Sequence, residues 1–461
     1  MAPTPLASLA AAESLEEAYV RYDALRWGKR NFPLLVADAS DPPELPLRGW
    51  SLTFLPCADG TATGSFVDPM GGSGPYSWSV LPEHVMLGAV PDAYDLFVVQ
   101  VRPCDHRYNR ERWNDYRIFF NGHINEVVTG ALGRVRGLAN LGIDVRVYTI
   151  FVDERTEWET LAAAIPSKEI ARARLSCLLN YAWPSTAAAP DATRGMFRSD
   201  GVYRFLEAAA GMLRVAIPGM PTALYKALTA KSYHADAGLA SHMAPTVAVR
   251  REGFHADPEG SAAAVIARLG ERVFVKRGNS WGGSGTHAVA GTEGLVATLL
   301  TAFREEPGAD VLYGQQMVPG VVAEMRSVRF FARGKTASRV VFMRLEERPS
   351  GETMTGPRSL KEAEVLPLVF GDDAAKHDGA LRQMERIAEL ADAFCARFGP
   401  LPTDYRVDAL LDCEDRVWLV ELTEQNASLC GLPPQARFDS LVHSLLGDRH
   451  LPEFDLRPFY G

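Results

Sequence analysis

No two cysteines of this chain stand within C-x-x-C reach of each other. The six (Cys57, Cys104, Cys177, Cys395, Cys413 and Cys430) are scattered over 461 residues. That excludes the usual zinc-ligand and redox-pair spacings and fits a reducing compartment. Excess positive charge is also missing. The formal net charge of −9 argues against a general nucleic-acid binder, which needs clustered Lys and Arg, although it leaves room for a local basic pocket. No apolar run approaches the length needed to span a bilayer, and no solenoid-type repeat is present. Residues 1–19 lack a basic n-region and carry Glu13, Glu16 and Glu17, so no secretory signal is expected. What is left is a cytoplasmic globular protein of two or three domains.

What is present is an alternation of strand and helix patterns. Short apolar runs at 33–37, 50–55, 76–81, 85–89 and 94–101 are bounded by Gly, Pro, Asp and Ser, which predicts strands and turns. Gly71-Gly72-Ser73-Gly74 among them reads as a flexible turn. Residues 117–120 read as a strand. Ile124, Val127, Val128, Ala131, Val135, Leu138 and Leu141 then follow at helical spacing, and 145–151 returns as a β-rich run. This strand–helix–strand unit predicts a parallel sheet. Residues 154–182 read as helical and 186–193 as a linker. Helices are expected near 200–213, 222–237 and 378–398, the last carrying one apolar face from Leu381 to Phe398. The fold class expected is α/β (α+β).

The candidate chemistry lies in the second half. Lys231-Ser-Tyr is read as a lysine on a helix before Gly238; a solvated surface lysine is the alternative. Val273-Phe-Val-Lys276 is an apolar strand ending in an inward cation, followed by Gly278, Gly282, Gly283, Ser284 and Gly285. Glycines let backbone amides approach an anion closely, and the lysine adds a point charge. No Lys-Ser or Lys-Thr follows the last glycine, so this is not a Walker A loop. The run Val311-Leu-Tyr-Gly-Gln315-Gln316-Met317-Val318 could offer backbone groups to an adenine edge or be an interior strand. Arg326 and Arg329 beside an apolar strand need anionic partners; phosphate or carboxylates such as Glu324 would serve. Finally, two apolar strands joined by a hairpin at 412–416 carry Arg406 and Asp408 early in the first and Glu421 late in the second. Antiparallel pairing brings the carboxylates side by side, an arrangement that suits magnesium or else needs a raised pKa.

Together these segments resemble the ATP-grasp family over residues 215–432, with motif order and spacing similar to those of D-alanine–D-alanine ligase. The resemblance implies an ATP-grasp domain there, with a small lid at about 240–312. It implies an α/β domain before the grasp at 116–214, a strand-rich region at 1–115 and an extension at 433–461. Lys231 and Lys276 then touch ATP phosphates beneath a loop containing Gly282, Gly283 and Ser284. Gln315, Gln316, Met317 and Val318 hold adenine, with Glu324 and Arg329 among the nucleotide contacts. Asp408 and Glu421 hold Mg2+, and Arg406 stabilises the reacting centre. The family pattern departs at Thr423, where an Asn ligand is expected; Thr423, Glu424 or Asn426 stands in for it.

The reaction implied is ADP-forming amide synthesis through an acyl phosphate, from a small-molecule carboxylate and an amine. Trp281-Gly-Gly-Ser-Gly, the preceding α/β domain and Glu421-Leu-Thr-Glu-Gln-Asn are similar to the peptide ligases of pheganomycin-type biosynthesis, which implies an amino acid joined to a peptide amine. An ATP-grasp kinase acting on a hydroxyl and a non-catalytic nucleotide-binding protein are the alternatives. Neither nucleic acid nor membrane is an expected partner, and the oligomeric state is left open, a homodimer included. Asn121, His123 and Asn125 sit at a strand-to-helix turn and are read as substrate contacts or as capping residues.

Overall fold

In the computed structural model of this chain the described residues are 44–47, 50–56, 62–67, 77–80, 93–103, 143, 145–152, 158–165, 167–180, 182–185, 196–214, 221–278, 286–332, 335–347, 353–424 and 435–446. The expectations for 33–37, 71–74, 85–89, 117–141 and the 186–193 linker lie outside them.

The N-terminal strands β1 (Glu44–Leu47), β2 (Trp50–Pro56), β3 (Ala62–Val67) and β4 (Ser77–Val80) pair in chain order as an antiparallel meander. Next come β5 (Tyr94–Pro103), β6 (Val145–Val152) and β7 (Ala173–Asn180), a parallel sheet with β5 in the middle. Parallel strands need both faces covered, and β5 shows it. Phe97, Val99 and Val101 enter the main core, while Leu96 and Val98 meet Leu441, Val442 and Leu446 of the Gln435–Leu446 helix. β8 (Trp183–Ser185) and β9 (Met196–Arg198) form a short parallel pair.

A four-stranded antiparallel sheet follows, built from β10 (Thr246–Arg250), β11 (Arg272–Lys276), β12 (Thr286–Ala290) and β13 (Val311–Gln316) in the order β10-β13-β11-β12. Val249, Val273, Val275 and Leu312 pack on the helices Pro258–Leu269 and Gly291–Glu305. Strand alternation sends Thr246, Phe274, Lys276, Tyr313 and Gln315 to the other face, as the pairs Thr246↔Gln315, Phe274↔Gln315 and Lys276↔Tyr313 require.

The larger antiparallel sheet comprises β14 (Val321–Ala332), β15 (Lys335–Glu347), β16 (Thr353–Ser359), β17 (Asp404–Asp412) and β18 (Val417–Thr423), in the order β16-β15-β14-β17-β18. One face is lined by Ala323, Met325, Tyr405, Val407, Ala409, Leu411, Val417 and Leu419 and packs against the Ala374–Cys395 helix. That helix presents Ala380, Met384, Ile387, Ala388, Ala391 and Phe394 at helical spacing. Fully burying a side chain such as Met384 or Ile387 stabilises by about 1.5–3 kcal/mol. The molecule is therefore α/β with both parallel and antiparallel sheets, as its sequence pattern predicts. Among the described residues no helix is long and apolar enough to cross a membrane.

Two expectations need correction. Residues 154–182 are not one helix. Trp158–Leu161 and Ser167–Arg172 are short helices, and Ala173–Asn180 is strand β7. Ser176 to Asn180 are all buried, so burial does not alternate along them, and the period that separates strand from helix is lost. The helix expected over 222–237 stops at Thr229. Lys231 itself is not helical: it stands in the left-handed region at φ 56° and ψ 30°, ahead of a 3-10 turn at Ser232–Ala235.

Candidate functional site

The site lies between the inner face of the small sheet and the inner face of the large one. Three neighbouring strands of the large sheet align Arg326, Asp408 and Glu421 in one row, since Arg326 pairs with Asp408 and Asp408 with Glu421. Glu324 on β14, Arg406 on β17 and Thr423 on β18 share that face, two residues from the row.

A β-bulge makes the row. Ala409 pairs with Leu419, yet Asp408 pairs with Glu421, so Val420 is an extra residue without a ladder partner. Plain alternation would send Glu421 and Thr423 to the side of Val417 and Leu419, into the core. The inserted residue reverses the parity and turns both toward the site. It also frees the Val420 carbonyl, which accepts a hydrogen bond from Lys276 Nζ at 2.8 Å. Lys276 thus reaches across from the small sheet to the last strand of the large one.

Lys231 arrives from a third element. Its left-handed backbone costs about 1–3 kcal/mol for a residue with a Cβ, and its buried ammonium donates to Glu421 Oε1. A close approach at Gly278 brings the two lysine segments together. A Cβ there would stand 3.2 Å from Ala230 Cα and 3.3 Å from Ala230 O, and Ala230 directly precedes Lys231.

Lys231, Lys276, Arg326 and Arg406 each have a protein acceptor. Arg406 grips Asp408 through two bonds of 2.6 Å, Nε to Oδ1 and Nη2 to Oδ2. Arg326 Nε donates to Glu324 Oε1 at 2.6 Å. Burial and then the repulsion of Lys231 push Lys276 down to about 7, against the pull of Glu421 and Asp408. Burial raises the Glu421 carboxyl, but Lys231, Lys276 and Arg406 together hold it below the usual range. Glu324 goes the other way: burial, reinforced by the charge of Asp408, pushes it up to about 7 despite Arg326. A buried lattice of alternating charges is stable only while each charge keeps its partner.

Of the residues singled out in the sequence, Lys231, Lys276, Glu324, Arg406, Asp408, Glu421 and Thr423 come together here. Gln315 lies on the facing side of the small sheet, its amide donating to Thr246 Oγ1 at 3.0 Å. Gln316 is exposed, with its backbone N–H on the Pro245 carbonyl, and Met317 and Val318 follow half-buried in the connection to β14. Arg329 does not join them. It is three residues from Arg326 and therefore on the opposite face, where it donates to Glu385 at 2.8 Å and to Asp392. Gly282, Gly283, Ser284 and Asn426 lie outside the described residues. Sequence reasoning paired Arg326 with Glu324, as the structure does, but missed its row with Asp408 and Glu421 and missed the Val420 carbonyl. Parity with Glu324 signals the first, and no sequence pattern signals the second.

Among the described residues no three His, Cys, Asp or Glu side chains form a ready-made cluster. Magnesium needs only one or two protein carboxylates and takes its other ligands from water and phosphate. Asp408 and Glu421 stand opposite each other, and the Thr423 hydroxyl beside them is buried without a hydrogen-bond partner. Those residues fit such an ion.

No model of a known protein family matches the chain, and no curated protein matches it. Solved structures do show similarity. D-cycloserine synthetase DcsG is 15% identical, covering 75% of this chain and 98% of its own, with a TM-score of 0.48. VanG D-Ala:D-Ser ligase from Enterococcus faecalis is 13% identical over 80% of this chain and 100% of its own, at 0.46. D-alanine–D-alanine ligase from Bacillus anthracis is 12% identical over 77% and 99%, at 0.43. At such identities and scores no residue role passes from one chain to another.

Proposed function

We propose that this chain is an ATP-dependent carboxylate–amine ligase of the ATP-grasp type that forms an amide bond through an acyl phosphate. The observation that carries the reading is the meeting of Lys231 and Lys276, from separate segments and separate layers, at the Asp408–Glu421 pair. Two buried ammonium groups in one cleft repel each other and favour a polyanion between them.

In this reading a substrate carboxylate oxygen attacks the γ-phosphorus of ATP and ADP leaves. Lys231 and Lys276 neutralise the oxygens of the transferring group. Asp408 and Glu421, with the Thr423 hydroxyl, hold magnesium, which when bound supplies further neutralisation of phosphate charge. The amine then attacks the acyl carbon, loses a proton and expels phosphate. Arg406, fixed in orientation by Asp408, faces the developing oxyanion. Gln315 to Val318, at the junction of the two sheets, hold adenine. The joining of an amino acid to a peptide amine in cytoplasmic natural-product biosynthesis is the finer form of the proposal, and it rests on the resemblance of the motifs alone.

The test is coupled ADP release with magnesium-ATP across amino acids, each with and without a short peptide. The expected outcome is turnover that requires both acid and amine, with a new amide bond detected by mass spectrometry. ADP release with a hydroxyl substrate and no amine would move the protein to the kinases. Retained ATP affinity without any turnover would make it a binding protein.

A further inference from the structure

Three residues beyond Lys231 stands a histidine with nothing polar to hold. His234 is 6% exposed, and neither Nδ1 nor Nε2 has a hydrogen-bond partner. Its ring lies between two others, with centroids 4.7 Å from Tyr233 and 5.2 Å from Tyr313. Tyr313 is the strand partner of Lys276, so the imidazole borders the inner face of the small sheet on the side where Lys276 projects. Burial and the charges of Lys276 and Lys231 hold it well below the usual histidine range, so the ring is neutral and keeps one N–H donor and one lone pair.

A buried polar group left unpaired is destabilising by about 1–3 kcal/mol, and native structures leave few of them. An aromatic pocket between two tyrosines would accept phenylalanine without that penalty. A surface loop could leave a ring nitrogen to water, but this ring is almost wholly enclosed. The two nearest cations repel protons from it and attract anions to its neighbourhood. A ligand held by Lys231 and Lys276 would lie beside the sheet face that His234 borders, where the imidazole is an uncharged donor.

We propose that His234 donates its imidazole N–H to a phosphate oxygen of the bound nucleotide. The inference rests on the nucleotide reading given above and deepens it. The neutral ring adds direction where the two ammonium groups add charge. A lysine bonds wherever its flexible stem reaches, whereas an imidazole fixed between Tyr233 and Tyr313 offers one N–H along one line.

The experiment measures the affinity of the full chain for magnesium-ADP and for adenosine by calorimetry, in wild type and in His234→Phe, together with the melting temperature of each protein without ligand. Wild type binds ADP. The variant is expected to bind ADP at least about tenfold more weakly, as for a hydrogen bond to a charged group, with adenosine affinity unchanged. Without ligand it melts no lower than wild type. ADP affinity within twofold of wild type, or an equal loss for adenosine, overturns the role of His234 and leaves the nucleotide reading standing. A wild-type protein that binds no ADP overturns both. Should the variant not fold, 15N-histidine labelling of the wild type decides: the buried neutral imidazole must shift on adding magnesium-ADP and stay put with adenosine, and an unmoved resonance sinks the inference.

Discussion

Arg326 and Arg329 belong to one strand, three residues apart, and their surroundings have little in common. Arg329 is the more deeply buried, 2% exposed, and is bracketed by Glu385 and Asp392 from the Ala374–Cys395 helix. Asp392 also accepts from the Tyr405 hydroxyl, and the Tyr405 and Phe331 rings stack at 5.9 Å. That arginine ties a helix to a sheet. Arg326 faces the other way, beside Glu324, in a row that continues through Asp408 to Glu421 and meets two lysines from outside the sheet. On the outer face both carboxylate partners arrive from one helix. On the inner face they arrive from several segments that must be brought together. Burial of charge alone does not identify a site; the number of independent elements that converge on it does.

The contrast can be broken at its strongest point. Asp408→Asn and Lys276→Ala are expected to lower ADP formation by at least about 100-fold while the circular dichroism spectrum and melting cooperativity stay as in wild type. If both variants keep wild-type turnover, the inner face is not the site. Deleting Val420 should be as severe, because Glu421 and Thr423 then turn to the helix side. Val420→Ala, which keeps the bulge, should retain ADP formation within about threefold, since backbone carbonyl and strand parity are unchanged. Equal damage from deletion and alanine would show that the side chain matters and the parity does not.

Arg329→Met tests the outer face. It leaves Asp392 without its cation and should lower stability by about 3 kcal/mol in urea unfolding, with turnover per folded molecule within about twofold of wild type. A large fall in turnover at full stability would return Arg329 to the nucleotide site. A separate expected effect is on pH dependence without nucleotide or metal. Lys276 is held at about 7 in the folded protein, from 10.5. Between those values the unfolded chain binds a proton that the folded chain does not, so stability rises with pH from about 7 to about 10.5. Its cost is fully present below pH 7. Lys276→Met should flatten that slope in urea titrations at stepped pH. The arginines of the outer face do not titrate there and add no slope.

These faces also mark how far the sequence could be read. Strand and helix types, the 412–416 hairpin and the apolar stripe of the Ala374–Cys395 helix were legible because each has a period or a turn signature. Asp408 and Glu421 were legible as neighbours because an antiparallel hairpin dictates it. Arg329 was misplaced because its type and spacing satisfied the expected chemistry, and only parity with Glu324 separates it from Arg326. Lys231 was read as helical because nothing in Thr-Ala-Lys-Ser announces a left-handed residue; that conformation goes with the close approach of Gly278 to the preceding Ala230 and with the pairing to Glu421. Strand β7 was lost because Ser176 to Asn180 are buried without alternation. In each miss the deciding contact comes from far along the chain, and a local pattern carries no record of it.

Val420 gives Lys276 a carbonyl, and a carbonyl is present in every amino acid. Any residue able to occupy the bulge can serve, so this position is free to drift in chemical type. Its existence is not free to drift, because one residue fewer reverses everything that follows on the strand. A catalogue of invariant side chains built from related sequences would pass over it. A tally of insertions and deletions would find a hairpin whose length never changes.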